Sequence, residues 1–145
     1  MIPAQKKGIV VFNTPGANAN GVKELVIAGS CLLHVILQAA VTGYVKIRMT
    51  QILQRQLRSK EAFAGNEIKG KKLGVIGLGA IGVLVANAAS ELGMEVYGCD
   101  PYLSIQNAVR LSHHITIVKD NDEIYNQCDY ITIHVPALDS TKGML

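Results

Sequence analysis

The chain has 145 residues, of which 49% are hydrophobic, so it is long and apolar enough for one domain with a sizeable core. Its formal charge of +3 comes from scattered lysines and arginines rather than a dense basic stripe, which argues against nucleic-acid binding. Three cysteines far apart in the sequence favour reduced thiols in a cytoplasmic protein over a disulfide framework or a zinc site, and no metal site is predicted.

The first elements are a strand and a long helix. Residues 8–12 form a short β-rich run that is ended by turn residues at 13–16, and this pattern predicts a strand. Asn18 or Asn20 can then cap a helix that begins near Gly21. This helix is apolar all round, so we expect it to be buried on several sides. Residues 46–72 are polar and weakly periodic, which predicts helix fragments and a loop.

Residues 25–45 contain no Asp, Glu, Lys or Arg, so they have the length of a candidate membrane span. His34, Gln38 and Thr42 interrupt the run, and we therefore expect no membrane segment. A membrane-associated protein is kept as a weak alternative. Met1 is not followed by an early apolar run, so no signal peptide is expected either.

From Lys72 onward, strand and helix patterns alternate. The predicted strands are residues 73–76, 94–99, 115–118 and 130–135, and the predicted helices are residues 81–92, closed by Gly93, and 122–127, capped by Asp120 or Asn121. This alternation predicts an α/β fold in which a parallel sheet is connected by helices, with its core at residues 71–145.

The motif with the clearest chemistry is a glycine-rich turn between the first of these strands and its helix. Gly77 permits a tight turn, Gly79 lets the backbone approach a pyrophosphate, and Gly82 lets the helix pack close to the strand. The N–H groups near Ala80 and Ile81 supply positive potential for phosphates. A strand precedes this motif and an acid follows it, which makes a glycine turn without a ligand the weaker interpretation.

That acid is Asp100, which ends the next strand, 18 residues after the last glycine. A carboxylate at this position accepts hydrogen bonds from ribose hydroxyls and repels a 2′-phosphate. The sequence therefore predicts NAD as the cofactor in preference to NADP.

The remaining candidates have simpler interpretations. His113 and His114 are adjacent in a loop-like stretch, where a solvated pair is expected rather than a metal site. His34 is interpreted as a packed or solvated histidine, and Cys99 as a small core residue rather than a reactive thiol. No residue resembles the nucleophile of a Ser/His/Asp triad.

Three segments, residues 13–20, 71–82 and 128–136, resemble the D-isomer-specific 2-hydroxyacid dehydrogenases, and the first is most similar to the phosphoglycerate dehydrogenases of that family. The resemblance implies an incomplete Rossmann-type fold: the first mononucleotide-binding half with a leading strand and helix. It places Ala80 and Ile81 at the pyrophosphate and Asp100 at the adenosine ribose. It also implies that Val135 and Pro136 line the adenine side and that Thr141 makes a further cofactor contact.

The chemistry implied by the resemblance is hydride transfer between NAD and a small-molecule D-2-hydroxy acid, with 3-phosphoglycerate, a precursor in serine biosynthesis, as the substrate. In the family an arginine holds the substrate carboxylate, and a histidine oriented by an acid moves the hydroxyl proton. No arginine or histidine here matches those motifs, so no catalytic residue is assigned. We expect a dehydrogenase fragment that lacks the substrate domain and is inactive alone. The alternative is a non-catalytic NAD-binding or interaction module, with the helix after Asn20 pairing in a homodimer.

A segment without acidic residues suggests a hypothesis about the gene that encodes this chain. The 29 residues from Cys31 to Ser59 contain no Asp or Glu, and we expect the resemblance to stop at Gly29 and resume near Glu61. Permitted codons for residues 41–51, read one base earlier, encode an acid-rich segment with a tryptophan that resembles the family's connector before the nucleotide-binding strand. Residues 30–59 are therefore interpreted as translated in a shifted frame, against the alternative of a divergent acid-free helix. The DNA decides between the two, because a stop codon in the other frame would exclude the shift.

Overall fold

The computed structural model describes residues 6–12, 14–35, 66–139 and 141–144, and the predicted loop at 46–72 lies mostly outside them. The described elements, in chain order, are α1 (Ala19–Val35), β1 (Lys72–Ile76), α2 (Ala80–Glu91), β2 (Glu95–Cys99), α3 (Ile105–Arg110), β3 (Thr116–Ile117), α4 (Asn121–Gln127) and β4 (Tyr130–Ile133). Each predicted strand after residue 72 is present, although β3 and β4 are two residues shorter than expected.

The strands of the described residues form one parallel sheet in the order β3-β2-β1-β4. The chain thus moves from β1 to β2 and β3 in one direction and then returns to place β4 on the other side of β1. This order is that of the first strands in a doubly wound nucleotide-binding fold, and it confirms the predicted α/β class.

Both faces of the sheet are covered, which explains why the central strand reads as a continuous apolar run. On one face, Leu73 and Val75 pack with Val83 and Val85 of α2. On the other face, Ile76 of β1 packs in a separate cluster with Ile124 of α4. Successive side chains of β1 thus enter different core layers, as the period of a strand requires.

The end of α2 and the start of α4 are formed by the residues that the sequence predicts. After α2, Gly93 has a φ of 82°, and its N–H donates to the Ser90 carbonyl while Met94 N–H donates to that of Ala89. This is the paired hydrogen bonding of a Schellman motif. Before α4, the Asp120 carboxylate accepts from the Glu123 N–H at 3.1 Å. The predicted glycine closure and the predicted Asp120 cap are both confirmed.

The first helix differs from our expectation in its start and in its burial. It begins at Ala19, so Asn18 immediately precedes it and Asn20 lies within its first turn, where its side chain donates to Glu24. Only one side of α1 packs against α2 and the core, whereas Leu25 is 74% exposed. The expectation of burial on several sides is therefore wrong for the described chain.

The strand predicted at residues 8–12 is not formed. These residues have no regular structure after the turn at 6–8, and Phe12 is 88% exposed. A strand needs a neighbour for its backbone hydrogen bonds, and no described segment pairs with this one. Conversely, α3 was not predicted, because it is short and buries no apolar residue. No helix in the described part of the chain is long and apolar enough to cross a membrane.

The core on the α4 face can be tested at Ile124, whose side chain is fully buried. Replacing Ile124 by Ala should lower the free energy of unfolding by about 2–5 kcal/mol, because it removes packed methyl groups and leaves a cavity. Urea unfolding followed by circular dichroism measures the difference.

Ile105 of α3 supplies the matched control, since it is an isoleucine on a short helix but is 84% exposed. Ile105→Ala should change the free energy of unfolding by less than about 0.5 kcal/mol. Equal effects of the two substitutions would contradict the assignment of Ile124 to the core.

Candidate cofactor-binding site

The candidate site lies at the carboxyl ends of β1, β2 and β4. Gly77 follows β1 and its N–H donates to the Cys99 carbonyl at the end of β2, while His134 N–H donates to the Ile76 carbonyl at the end of β1. The strand order reverses between β1 and β4, and in open α/β sheets ligands bind at this switch point. The topology therefore gathers the predicted residues at one edge.

Gly77 is required by both its conformation and its surroundings. Its φ is +90°, and a Cβ at this position would lie 2.8 Å from Val135 Cγ1 and 2.9 Å from the His134 carbonyl oxygen. Any larger residue would thus meet the chain that leaves β4. Gly82 has an even closer neighbour, because its Cβ would clash with the carbonyl oxygen of Gly77.

Gly79 differs from these two glycines, since a Cβ there would meet nothing within 4 Å. It is the residue before α2, and no side chain caps this helix. The N–H groups of Gly79, Ala80 and Ile81 have no hydrogen-bond partner among the described residues. Space beside the backbone and free N–H groups at a helix start are the two features that an anionic group needs at this point.

Asp100 is joined directly to the glycine turn. One carboxylate oxygen accepts from the Leu78 N–H at 2.8 Å, and the other accepts from the Tyr102 N–H at 2.8 Å. Each oxygen has a second lone pair for a further donor such as a hydroxyl. The side chain of Leu78 is fully buried beneath the turn, so the loop is fixed from below as well.

A third residue holds this turn and was not found from the sequence. The Asn107 side-chain amide donates to the Leu78 carbonyl at 3.0 Å. The sequence signal was limited to Ser104, whose hydroxyl caps α3 by accepting from the Asn107 N–H. That signal marks a helix start but not the contact of Asn107 with a loop 29 residues earlier.

The residues predicted for the adenine side and for the further cofactor contact also come together. Val135, Pro136 and Thr141 all line a cavity of about 240 Å³ beyond the end of β4, with Met144 among its other walls. The Thr141 hydroxyl donates to the Pro136 carbonyl at 2.7 Å and accepts from the Leu138 N–H. Thr141 therefore shapes this wall by closing a turn, with its own donor already used.

The cysteines near the site are packed rather than reactive. Cys99 is 4% exposed, and burial followed by the carboxylates of Asp120 and Asp100 raises the pKa of its thiol. Burial also raises the pKa of Cys128. Thiols with raised pKa values remain protonated at neutral pH and are weak nucleophiles, which agrees with the interpretation of Cys99 as a core residue.

The histidines show no metal site among the described residues. The exposed rings of His113 and His114 lie 3.8 Å apart before β3, and the side chain of His34 lies outside the described residues. His134 is half-buried beside Gly77, with its Nε2 3.0 Å from the Thr132 hydroxyl. Burial lowers the pKa of His134.

The lowered pKa of His134 predicts a pH effect on stability. Between the folded-state pKa and the unfolded value of about 6.5, the unfolded chain binds more protons, so acidification through this window favours unfolding. His134→Gln should therefore lose less thermal stability between pH 7 and pH 5 than the unmutated chain. His113→Gln is the control for the loss of an exposed imidazole, and it should keep the full acid sensitivity. The same loss in the His134 variant as in the unmutated chain would contradict the prediction.

Comparisons with known proteins agree with this geometry. Residues 35–145 match the family model described as the D-isomer specific 2-hydroxyacid dehydrogenase, NAD binding domain. D-3-phosphoglycerate dehydrogenase of Haemophilus influenzae is 34% identical over 142 residues, and the proteins of that name from Methanocaldococcus jannaschii and Homo sapiens are 36% and 35% identical. These alignments cover 98% of this chain but 31%, 25% and 24% of the three relatives. The chain thus spans about a quarter to a third of their length.

We expected the resemblance to stop at Gly29, but the alignments continue past this residue. They extend through residues 30–59, and the family model begins at residue 35, within that segment. The hypothesis of a shifted frame thus loses one of its three bases and keeps the acid-free composition and the permitted codons. Most of the segment lies outside the described residues, although α1 continues to Val35.

Solved structures with NAD show the same fold. D-lactate dehydrogenase from Aquifex aeolicus, complexed with NAD and lactic acid, matches with a TM-score of 0.76 and 25% identity over 99% of this chain and 39% of that one. D-lactate dehydrogenase with NAD+ from Lactobacillus jensenii matches with a TM-score of 0.72 and 25% identity over 98% and 39%. The glycine turn, the acid after β2, the strand order and these matches together show that the chain belongs to the D-isomer-specific 2-hydroxyacid dehydrogenases, within their NAD-binding domain.

Proposed function

We propose that residues 71–145 bind NAD through the glycine turn and the ends of β2 and β4. The observation that carries this proposal is the open space at Gly79 beside the free N–H groups at the start of α2, with the Asp100 carboxylate held against the same turn. No other part of the described chain combines free backbone donors, open space and an acid at a sheet switch point.

The roles follow from the chemistry of each group. The N–H groups of Gly79, Ala80 and Ile81 face the pyrophosphate, because a helix start favours anions. Asp100 accepts from the adenosine ribose with its remaining lone pairs. The cavity lined by Val135 and Pro136 takes the adenine, since its walls are mostly apolar. Gly77 and Gly82 keep the strand, turn and helix close enough for this arrangement.

Thr141 has an indirect role in this proposal. Its hydroxyl proton is given to Pro136 or Leu138, so it contacts the cofactor through its oxygen or methyl group. Its main contribution is then the shape of the adenine cavity.

The reaction that this cofactor serves is hydride transfer to or from a D-2-hydroxy acid, and 3-phosphoglycerate, in serine biosynthesis, is the proposed substrate. Support comes from the relatives named D-3-phosphoglycerate dehydrogenase, at 34–36% identity. Bound NAD supplies the hydride acceptor, and this chain's residues bind and orient it. The family's arginine and histidine have no counterpart in the sequence, so we propose that the 145-residue polypeptide binds the cofactor without catalysing the reaction. We assign the polypeptide to the cytoplasm, because its described cysteines are free thiols and reduced thiols are typical of that compartment.

We propose that the helix α1 pairs with the same helix of a second copy of the chain. Its exposed stripe contains Gly21, Leu25, Ala28 and Leu32, spaced four, three and four residues apart. This spacing is that of a helix seam, in which small residues let another helix approach the leucines. We therefore assign α1 to a homodimer contact, an interaction that requires no catalytic residue.

Cofactor choice tests the proposed site. NAD and ADP-ribose should bind more tightly than NADP, because Asp100 repels the additional phosphate, and Asp100→Ser should narrow the difference. Isothermal titration with both cofactors measures the two affinities. Glu91→Ser, which removes an exposed carboxylate at the opposite end of α2 from the glycine turn, should leave the preference unchanged. Equal affinities for NAD and NADP in the unmutated chain would contradict the proposal.

A measurement of turnover tests the proposal that the polypeptide binds NAD without catalysing the reaction. The polypeptide mixed with NAD and D-3-phosphoglycerate should form no NADH above a protein-free control, since the acid–base group, typically a contribution of about 10² to 10⁴ in rate, has no counterpart. Absorbance at the NADH band follows the reaction. NADH formation that Gly79→Asp abolishes would show that the polypeptide is itself a catalyst.

Sedimentation tests the α1 contact. Leu25→Asp should convert a dimer into a monomer, because it places a charge in the middle of the apolar seam. Leu138→Asp is the control, since this leucine is also exposed but lies in the turn after β4. Monomeric sedimentation of the unmutated chain at micromolar concentration would rule out the assignment.

A further inference from the structure

The short helix α3 turns a polar side chain toward the glycine turn. Asn107 is the one residue of Ile105–Arg110 that is not exposed, and α3 buries no apolar residue. Apolar anchoring comes from Leu103 and Leu111 on either side of the helix, which pack against the core. Packing of α3 itself therefore does not explain why its inward position is an asparagine.

The hydrogen bonds of the turn do explain it. Leu78 is held at both of its backbone polar groups: its N–H by the Asp100 carboxylate at 2.8 Å and its carbonyl by the Asn107 amide at 3.0 Å. The acceptor is a carbonyl oxygen, so the group that faces it must be the donating NH₂ of Asn107. Two side chains from different elements thus fix consecutive peptide planes.

The second of these planes, the peptide between Leu78 and Gly79, carries one of the free N–H groups of the candidate site. The Leu78 carbonyl and the Gly79 N–H belong to one planar trans peptide, in which the two groups point in opposite directions. A donor that holds the carbonyl toward α3 therefore turns the Gly79 N–H away from α3. That N–H has no partner among the described residues, and the space beside Gly79 is open.

We propose that Asn107 is a positioning residue for diphosphate binding: its amide holds the Leu78 carbonyl and thereby aims the Gly79 N–H at the diphosphate of the cofactor. This inference rests on the proposed NAD site, whose ligand contacts it extends to a residue that does not touch the ligand. The ligand class is any nucleoside diphosphate, since the aimed donor meets the phosphates and not the base.

The chain offers a matched control for the simpler role of fastening α3. Asn87 of α2 also holds α3 through its side chain: its amide donates to the Arg110 carbonyl at 2.8 Å and its oxygen accepts from the Ser112 N–H at 2.9 Å. Asn87→Ala and Asn107→Ala each remove an asparagine that anchors α3. Only the second removes a hydrogen bond to the glycine turn.

The test compares ADP with adenosine in titrations of the unmutated chain and the two variants. Asn107→Ala should weaken ADP binding by about tenfold, as expected for losing an oriented hydrogen bond to a charged group, and should leave adenosine binding within about twofold. Asn107→Asp keeps the side-chain shape but points a carboxylate at the Leu78 carbonyl, so its loss of ADP affinity should be larger. Asn87→Ala should keep the ADP-to-adenosine ratio of the unmutated chain.

Two results would overturn the inference: an unchanged ratio in both Asn107 variants, or an equal change in Asn87→Ala. If the unmutated chain binds neither ADP nor NAD, the proposed function itself fails. The positioning role is then judged in the free protein by residual dipolar couplings of the Gly79 N–H. A shift of this coupling in Asn107→Ala but not in Asn87→Ala supports the role, and identical couplings in all three proteins refute it.

Discussion

The approach of α2 to the turn after β1 is the constraint on which the rest of the site depends. A Cβ on Gly82 would fall on the Gly77 carbonyl oxygen, so the helix can start here only without a side chain at that position. The close approach brings the free N–H groups of the helix to the edge where β1, β2 and β4 end. If α2 started further out, the same N–H groups would no longer share an edge with Asp100 and Val135.

The turn is then fixed from three sides by contacts of different kinds. Below it, the Leu78 side chain is buried against Gly98, where a Cβ would lie 2.9 Å from Leu78 Cδ1. Laterally, Asp100 and Asn107 take the two backbone polar groups of Leu78. The conformation of the turn is therefore set before any ligand arrives, and a preorganised site loses less conformational entropy on binding.

How far the sequence predicts this structure depends on how local the determining interactions are. The elements from β1 to β2, the Gly93 closure and the Asp120 cap were all predicted, because each rests on residues within a few positions of one another. The strand at 8–12 was predicted from the same kind of local pattern and is not formed, since a strand also needs a partner that no local pattern supplies. The one-sided burial of α1 was missed for the same reason: composition states that a helix is apolar but not which neighbours cover it. Asn107 could not be found, because its contact joins residues 29 positions apart through a short helix that buries no apolar residue.

The burial of Cys99 has a practical consequence for following the motions of this edge. Its thiol lies under the end of β2, one residue before Asp100, and is both 4% exposed and held in its protonated form by a raised pKa. A thiol reagent can reach it only when the sheet edge opens and water enters the layer that it shares with Ile76 and Val118. The rate of alkylation at Cys99, followed separately from that at Cys31 and Cys128, thus reports the local opening of the sheet edge beside Asp100 without any substitution in the protein.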